Sequence, residues 1–345
     1  MKLASACPAP KLDFSEIQLG HGSGGVLMQK LLEPVLDLFA NPELSERHDG
    51  AVVTTEGRIA ITTDSFVVSP IFFPGGDIGR LAVHGTVNDL AMCGARPRYL
   101  ALGLILEEGL PLAELWKVLC SVRQAAEECA VAIVTGDTKV VERGKGDRIF
   151  LHTTGVGDLH PGAAISARRM SVGDRIVLNG PVGAHGIAIL SVREGFSFES
   201  AIESDTAPLH APVLSLLDRF GSQVHFLRDA TRGGVATVLA EAAQQAGKGI
   251  EVEEARIPVE GEVGSACEIL GLDPLYVANE GRFIAVVAQE IADEAVAELR
   301  RSGWPHAAVI GTVGEEHPGK ALLRSRIGGR RPLNLLPGEQ LPRIC

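Results

Sequence analysis

The chain of 345 residues is long enough for two domains, and its 40 glycines and many aliphatic residues favour an α/β protein. With 32 Lys and Arg against 43 Asp and Glu, the formal net charge is −11 without a long basic run, so we exclude a nucleic-acid partner. No apolar run reaches transmembrane length, no signal-peptide pattern follows Met1, and the six cysteines form no Cys-x-x-Cys pair. We therefore expect a cytoplasmic protein without membrane association, zinc site or disulfide framework.

A glycine-rich loop opens the first half of the chain. Residues 1–18 are Pro-rich and aperiodic, which predicts a mobile arm. The loop Gly20–Gly25 then precedes an amphipathic helical run, Val26–Leu32. Glycines let backbone amides approach a ligand closely, and a helix N-terminus favours an anion, so the loop is a candidate cover for phosphates. A flexible connector is the alternative, because no Gly-Lys-Ser/Thr sequence follows.

Two hydrophobic runs lead into aspartates. A predicted buried strand, Arg58–Phe66, ends close to Asp64, and a later one ends at Asp137, which Thr138 and Lys139 follow. An Asp at the end of a strand in an α/β sheet is well placed for a metal or phosphate site, although Asp is also an ordinary turn residue. Lys139 is either a phosphate partner or a surface lysine.

A third aspartate lies in the last turn of a predicted helix, Ile78–Met92, beside Asn88. A carboxylate at a helix C-terminus is unfavourable, and a cation near Asp89 would reverse that cost. A surface Asn-Asp pair is the alternative. Asp64, Asp89 and Asp137 together offer the hard oxygen ligands that Mg²⁺ prefers.

The second half begins after a boundary near residues 160–172. The patterns predict strands at 175–178, 283–288, 307–313 and 321–324, and helices at 211–220, 235–245 and 292–301. Hydrogen-bond donors cluster before the helix at 235–245, which indicates an anion site or a capping turn made by Asp229 and Thr231. Glu280 stands at the edge of a predicted strand pair, as a general base or as an exposed turn residue.

The chain ends on Pro342-Arg343-Ile344-Cys345. Beyond Arg330-Arg331-Pro332 the prolines and the lack of periodicity argue against a helix, so a flexible tail is predicted. A fully extended tail from Arg330 would reach about 50 Å at ~3.3 Å per residue. A thiol on a mobile terminus suits a group that is carried, and a stray exposed cysteine is the alternative.

Together these motifs resemble the HypE family of hydrogenase maturation factors, carbamoyl dehydratases in the superfamily of aminoimidazole ribonucleotide synthetases and selenophosphate synthetases. The match spans almost the whole chain, and its terminal Pro-Arg-Ile-Cys is the most specific part. The residues that carry it are Gly20–Gly25, Thr62–Ser65, Pro70–Asp77, Gly85–Ala91, Thr135–Val140, His152–Gly157, Arg228–Gly234, Asn279–Gly281 and Pro342–Cys345.

The resemblance implies an α/β (α+β) fold of two domains, like that of the aminoimidazole ribonucleotide synthetases, with a mobile C-terminal tail. The expected parts are an arm at 1–18, an ATP-binding and dimerisation domain at 19–160, an α/β domain at 171–327 and a tail at 328–345. In a homodimer, the N-terminal sheets of two subunits would pair into a barrel with ATP near the interface.

The resemblance also implies roles for single residues. The catalytic residues would be Cys345, Glu280 and Lys139, with Glu280 as the candidate base. Mg²⁺ would be held by Asp64, Asp89 and Asp137. The ATP contacts would be His21, Gly22, Ser23, Gly24, Gly25, Asn88, Thr138, Lys139, Asp229, Arg232 and Gly233.

The implied chemistry uses Cys345 as the carrier. The partner HypF would place a carbamoyl group on its sulfur, this chain would remove water with ATP to leave a thiocyanate, and the HypC–HypD complex would receive the cyano group as an iron ligand of [NiFe]-hydrogenase. Two alternatives stay open. One is an ATP-dependent ligase or kinase that acts on a free small molecule and does not need Cys345. The other is a non-enzymatic delivery module in which Cys345 binds iron or a partner.

Overall fold

The computed structural model describes residues 10–23, 25–45, 50–196, 202–336 and 343–345. Gly24, residues 1–9 of the predicted arm and residues 337–342 of the predicted tail lie outside the described residues. Within the described part, no helix is both long enough and apolar enough to cross a membrane.

A four-stranded sheet organises the first half. Its elements are α1 (Val26–Leu38), α2 (Pro42–Ser45), β1 (Ile59–Phe66), β2 (Phe72–Phe73), β3 (Gly76–Asp77), α3 (Ile78–Met92), β4 (Ala95–Glu107), α4 (Leu112–Glu128), β5 (Ala132–Val141) and β6 (Ile149–Leu159). The strand order is β1-β6-β4-β5, so β1 and β5 are the two edges. Helix α3 packs on β1 and β6, and α4 packs on α3. Asp77 caps α3 by accepting the N–H groups of Gly79 and Arg80.

The opposite face of this sheet is open in the single chain. The prediction of a buried strand at 58–66 is wrong, because β1 alternates between partly buried and exposed residues. Asp64 and Asp137 are also not at strand ends, since β1 continues to Phe66 and β5 continues to Val141. The residues after each aspartate go on pairing with the neighbouring strand, as Val140 does with Leu106.

A seven-stranded sheet organises the second half. Its elements are β7 (Arg175–Leu178), α5 (Ala184–Arg193), α6 (His210–Phe220), β8 (Val224–Asp229), α7 (Gly234–Ala246), β9 (Gly249–Glu253), α8 (Gly261–Leu270), β10 (Phe283–Val287), α9 (Ala292–Arg301), β11 (Ala308–Gly314), β12 (Ala321–Arg324) and β13 (Arg330–Leu333). The strand order is β13-β12-β9-β11-β7-β10-β8. Apolar side chains of α6 and α9 form one core cluster with this sheet, and those of α7 form another. The second half therefore has a core on each face of its sheet.

Two termini differ from the sequence-based expectation. The predicted tail includes β13, which pairs with β12 as an edge strand and is held by ion pairs from Arg330 and Arg331. The described end of the predicted mobile arm is also packed. Ile17 is buried, and its backbone N–H and carbonyl bond to Leu110 and Gly109.

The cysteines differ from the expectation in one respect. Cys93, Cys129, Cys267 and Cys345 are free thiols. Cys120, in α4, is disulfide-bonded, which the sequence pattern did not predict.

Candidate active site

The last three residues lie against the segment that follows β1. The Val67 N–H donates to the Cys345 carbonyl at 3.0 Å, and the Ser69 N–H donates to the Arg343 carbonyl at 3.3 Å. The Arg343 guanidinium donates to the Val67 carbonyl at 3.0 Å. Ile344 is only 4% exposed and belongs to the core of the first half. The terminus is therefore docked onto its own chain.

Five side chains surround the docked thiol of Cys345, and we call these six residues the tail cleft. They are Asp64 from β1, Asp89 from α3, Asp229 at the end of β8, Arg232 before α7, Glu280 before β10, and Cys345. The Arg232 guanidinium is 3.9 Å from Asp64 Oδ1 and also contacts the thiol. Both halves of the molecule thus contribute to one cleft.

A glycine allows α3 to lie close to β1. A Cβ at Gly85 would stand 2.9 Å from the Phe66 ring, so a larger residue would push the helix away. The close approach brings Asp89 to Thr62, whose hydroxyl donates to Asp89 Oδ2 at 2.7 Å. Burial raises the pKa of Asp89, the Thr62 hydrogen bond lowers it, and the charge of Asp64 raises it. Asp89 therefore faces the cleft and not the surface.

Asp229 and Glu280 are buried carboxyl groups. Burial and then the charge of Asp89 raise the pKa of Asp229 to about 7. Burial, with repulsion led by Asp229, raises the pKa of Glu280 well above its usual value. Glu280 is 3% exposed, and its Oε1 has no hydrogen-bond partner in the described structure. Glu280 is therefore not an exposed turn residue. Helix α7 starts after Gly233 without a side-chain cap, so the alternative of a capping turn made by Asp229 and Thr231 is wrong.

Cys345 faces one cation and several acids. Burial raises the pKa of its thiol to about 12, the charge of Glu280 raises it as well, and Arg232 opposes both. The docked sulfur is therefore a neutral thiol at pH 7, beside a guanidinium and a carboxyl group.

The described part of the glycine-rich loop and the middle of β5 form a second group, which we call the outer edge: residues 20–23 and Gly25 with Asp137, Thr138 and Lys139. Lys139 Nζ lies 2.6 Å from Asp137 Oδ2, and the two side chains are 62% and 63% exposed. The Lys139 hydrogen bond lowers the pKa of Asp137. Thr138 is buried, and its N–H donates to Asp137 Oδ1 at 2.9 Å. Gly25 is the N-cap residue of α1.

The loop rests directly on β5. A Cβ at Gly22 would stand 2.8 Å from the backbone nitrogen of Val140, so only glycine fits there. His21 is fully buried, and its Nδ1 accepts the Gln18 N–H at 2.9 Å. Ser23 is exposed, and its hydroxyl donates to a backbone carbonyl of the loop. His21 therefore shapes the loop from inside, while Ser23 faces solvent.

The tail cleft and the outer edge do not meet in one chain. Asp64 pairs with Thr153 and Asp137 with Gly103, on strands at opposite edges of the sheet. Three strand spacings separate them, about 14 Å. Among the described residues, no group of three or more His, Cys, Asp and Glu side chains could hold a metal ion. Asp137 therefore does not join the Asp64–Asp89 pair within the chain.

Two predicted ATP contacts have structural roles in the chain. Asn88 is buried, and its amide donates to the carbonyls of Ala207 and Glu280 and accepts the Leu209 N–H at 2.7 Å. Gly233, with φ of +72°, is the N-cap residue of α7. Asn88 thus ties α3 to the backbone that carries Glu280, and Gly233 turns the chain beside Arg232.

Sequence reasoning missed residues that support the cleft. Asp205 Oδ1 accepts the Glu280 N–H at 3.1 Å, and its other oxygen lies 3.5 Å from Arg282. His185 and Arg193, on α5, contact the docked tail. Asp205 lies in an aperiodic polar segment, so no local pattern marks it.

Comparisons with known proteins match the whole architecture. Residues 47–159 match the family model "AIR synthase related protein, N-terminal domain", and residues 171–323 match the corresponding C-terminal domain. The carbamoyl dehydratase HypE of Azotobacter vinelandii is 50% identical over 335 residues, which is 95% of this chain and 97% of that protein.

Solved structures also match over most of this chain. A crystal structure of the hydrogenase maturation protein HypE in complex with ATP aligns with a TM-score of 0.91 and 47% identity, over 95% of this chain and 99% of that one. A chain of a HypE–HypF complex aligns with a TM-score of 0.79 and 41% identity, over 90% of this chain and 100% of that one.

Proposed function

This chain belongs to the HypE family of hydrogenase maturation proteins, and on that premise we propose that it dehydrates a carbamoyl group carried on Cys345 to a thiocyanate, with ATP. The observation that supports this most is the docked terminus. Its sulfur lies beside Arg232 and the buried Glu280, where a carried group would meet an acid–base residue. A matched relative is named a carbamoyl dehydratase, and a matched structure contains ATP.

Glu280 is the proposed base. For S–C(=O)NH₂ to become S–C≡N, two protons must leave the nitrogen and the oxygen must leave the carbon. The first proton leaves as the carbamoyl oxygen attacks the γ-phosphorus of ATP and displaces ADP, and the second leaves as the C–O bond breaks and releases phosphate. Oε1 of Glu280 is free to accept a proton, and its raised pKa makes the carboxylate a strong base once it is ionised.

Arg232 is the proposed positioning cation. Its guanidinium contacts the Cys345 sulfur, so it would orient the carried group and stabilise negative charge that develops on the carbamoyl oxygen. Asp64, 3.9 Å away, holds the guanidinium in place.

The tail cleft fits a divalent cation. Burial raises the pKa values of Asp89, Asp229 and Glu280, and repulsion from neighbouring carboxylates raises them further, with Asp64 acting on all three; a cation would relieve that repulsion. Mg²⁺ usually takes one or two protein carboxylates, with substrate phosphates and waters filling its other positions. Asp64 and Asp89 would therefore suffice with a triphosphate. Bound Mg²⁺ would neutralise charge on the transferred phosphoryl group.

The outer edge is the proposed second part of the ATP site, completed across a homodimer. The open face of the sheet exposes Ile59, Ile61 and Ile105. An apolar sheet face of this kind is normally covered by another layer. If the sheets of two copies pair, Asp137 and Lys139 of one chain can face a nucleotide held by the tail cleft of the other. Lys139 would then supply a point charge to the phosphates.

The same proposal assigns the parts of the chain and its partners. Residues 19–160 would bind ATP and dimerise, and residues 171–327 would close the tail cleft. One of the matched structures is a HypE–HypF complex, which supports HypF as the partner that carbamoylates Cys345. The HypC–HypD complex would accept the cyano group. A carrier thiol that must stay free suits the cytoplasm.

Mass spectrometry of the C-terminal peptide tests the proposal. Protein carbamoylated at Cys345 should lose one water from that peptide when it receives MgATP. The Cys345→Ala variant, as the control, should show no modification of the peptide while it keeps its fold and ATP binding. Retention of the carbamoyl mass contradicts the dehydratase. Release of the group without a mass change favours delivery, and ATP turnover with a free small molecule in the Cys345→Ala variant favours a ligase or kinase.

A further inference from the structure

Helix α5 carries a fully buried histidine whose two nitrogens both have partners. His185 Nε2 lies 2.8 Å from the backbone carbonyl oxygen of Ile344, and Nδ1 lies 2.7 Å from Ser204 Oγ. A carbonyl only accepts, so Nε2 carries the proton. Nδ1 then accepts from the Ser204 hydroxyl, whose oxygen in turn accepts the Thr206 N–H at 3.1 Å. Burial lowers the pKa of His185, which keeps the imidazole neutral with one donor.

A second residue of α5 holds the neighbouring carbonyl. Arg193 Nη2 donates to the Arg343 carbonyl at 2.8 Å and to the Ser69 carbonyl at 2.7 Å. His185 and Arg193 are eight residues apart, so they lie on one side of the helix. Helix α5 therefore contacts both the docked tail and residues 67–69, the segment after β1 to which the tail is hydrogen-bonded.

Together these contacts supply donors to the backbone oxygens of the last three residues. The carbonyls of Arg343, Ile344 and Cys345 each have a protein donor. The donors come from α5, in the second half, and from residues 67–69, in the first half. A buried carbonyl left without a donor is unfavourable, so loss of one donor weakens the docked state as a whole.

We propose that His185, oriented by Ser204, and Arg193 form a latch that recognises the backbone of the C-terminal residues and positions the Cys345 sulfur against Arg232. His185 is then a positioning residue, because it contacts the tail backbone and not the sulfur. The inference rests on the proposed function only in taking Cys345 as the carrier. Docking itself needs neither ATP nor a carbamoyl group.

Alkylation of Cys345 tests the latch in the full-length protein. The docked thiol is partly buried and has a pKa of about 12, whereas a released thiol returns toward 9.0, so release raises the thiolate fraction. Iodoacetamide labelling, followed by peptide mass spectrometry, measures the rate at Cys345. Exposed Cys93 serves as the reference in the same sample, and buried Cys129 and Cys267 report unfolding.

The expected result is a difference between two His185 variants. His185→Leu removes the donor to the tail, so labelling of Cys345 relative to Cys93 should rise about two- to tenfold, the equivalent of one hydrogen bond. His185→Gln keeps an amide donor of similar reach and should stay close to wild type. If the effect came from a general loosening of the fold, Cys345 labelling should rise in His185→Gln as it does in His185→Leu.

Several outcomes overturn the latch. An unchanged Cys345 rate in His185→Leu, with Cys129 and Cys267 still protected, does so directly. If His185→Leu exposes the buried thiols, Ser204→Ala decides, because it leaves the imidazole in place and removes the hydroxyl that orients it, together with the acceptor of the Thr206 N–H. That variant should raise the Cys345 rate about twofold, and an unchanged rate refutes the proposal. Since no step involves dehydration, a failed dehydration assay with latch-dependent labelling would count against the proposed function alone.

Discussion

The tail cleft and the outer edge both contain aspartates, but the aspartates lie in opposite environments. In the cleft, Asp89, Asp229 and Glu280 are largely buried, and their pKa values are raised. At the outer edge, Asp137 is exposed and paired with Lys139, and its pKa is lowered. Burial decides the difference, because it penalises the charged form wherever no cation offsets it. The cleft can therefore handle protons near neutral pH, while the outer edge offers permanent charges.

The comparison also explains why one chain has two incomplete halves of a site. The outer edge has a lysine but no carrier, and the tail cleft has the carrier and the base but no lysine among its side chains. An exposed ion pair contributes little stability, so Asp137 and Lys139 are not needed for the fold. Their proposed role is to face a nucleotide once the sheet of a second copy covers the open side of this sheet.

Glu280→Gln should have the largest effect on activity. A positioned base typically contributes about 10²- to 10⁴-fold, so single-turnover dehydration of carbamoylated Cys345 should slow by that factor. In wild type the rate should rise with pH as Glu280 loses its proton, because its pKa is raised. The glutamine variant should lack this rise.

Labelling of Cys345 provides the control for this variant. Glu280→Gln should still dock its tail, so its Cys345 alkylation should remain slower than that of exposed Cys93. A variant that turns over at the wild-type rate with an unchanged pH profile shows that the base is another group.

A mixture of two inactive variants tests whether the two regions belong to one site. Asp137→Asn and Glu280→Gln should each impair turnover, while Asp137→Asn leaves stability nearly unchanged. If each site combines the tail cleft of one chain with the outer edge of the other, mixed dimers contain one intact site. Random exchange then restores roughly a quarter of wild-type turnover, since half of the dimers are mixed.

Size-exclusion chromatography with light scattering would show first that the mixed sample is dimeric. If dimers form and the mixture stays as inactive as its components, the two regions do not cooperate across the interface. If Asp137→Asn alone is fully active, the outer edge has no part in the reaction.

Local patterns predicted much of the secondary structure. Strands 175–178 and 321–324 and helix 292–301 have the predicted bounds, and the predicted AIR synthase-like fold is confirmed by the family matches. The errors lie where tertiary contacts decide. Strand β13 forms a hairpin with β12 and is held by ion pairs of Arg330 with Glu251 and of Arg331 with Asp273, and these distant partners are not visible in Arg330-Arg331-Pro332.

The site was less predictable, because its residues meet only in the folded chain. The sequence grouped Asp64, Asp89 and Asp137 as oxygen ligands for Mg²⁺, two of them at predicted strand ends and Asp89 in the last turn of a predicted helix. The strand order then separated Asp137 from the other two. His185 and Asp205 had no visible pattern, because their roles depend on a terminus more than a hundred residues away and on a loop contact.

Asp229→Asn should have the smallest effect on turnover. Its main effect should be on the stability of the fold. Burial raises the pKa of Asp229 in the folded state to about 7 from its ordinary value of 3.8, so the folded state binds a proton that the unfolded chain releases. Stability from this group is present below pH 4 and is lost as the pH rises to 7. Asparagine stays neutral, so by urea unfolding without nucleotide the variant should exceed wild type at pH 8, by on the order of 4 kcal/mol at most. The difference should vanish near pH 4 and shrink at pH 8 when MgATP is added, because a cation in the tail cleft compensates the ionised carboxylate. A variant equally stable or weaker at both pH values would show that burial of Asp229 imposes no such cost.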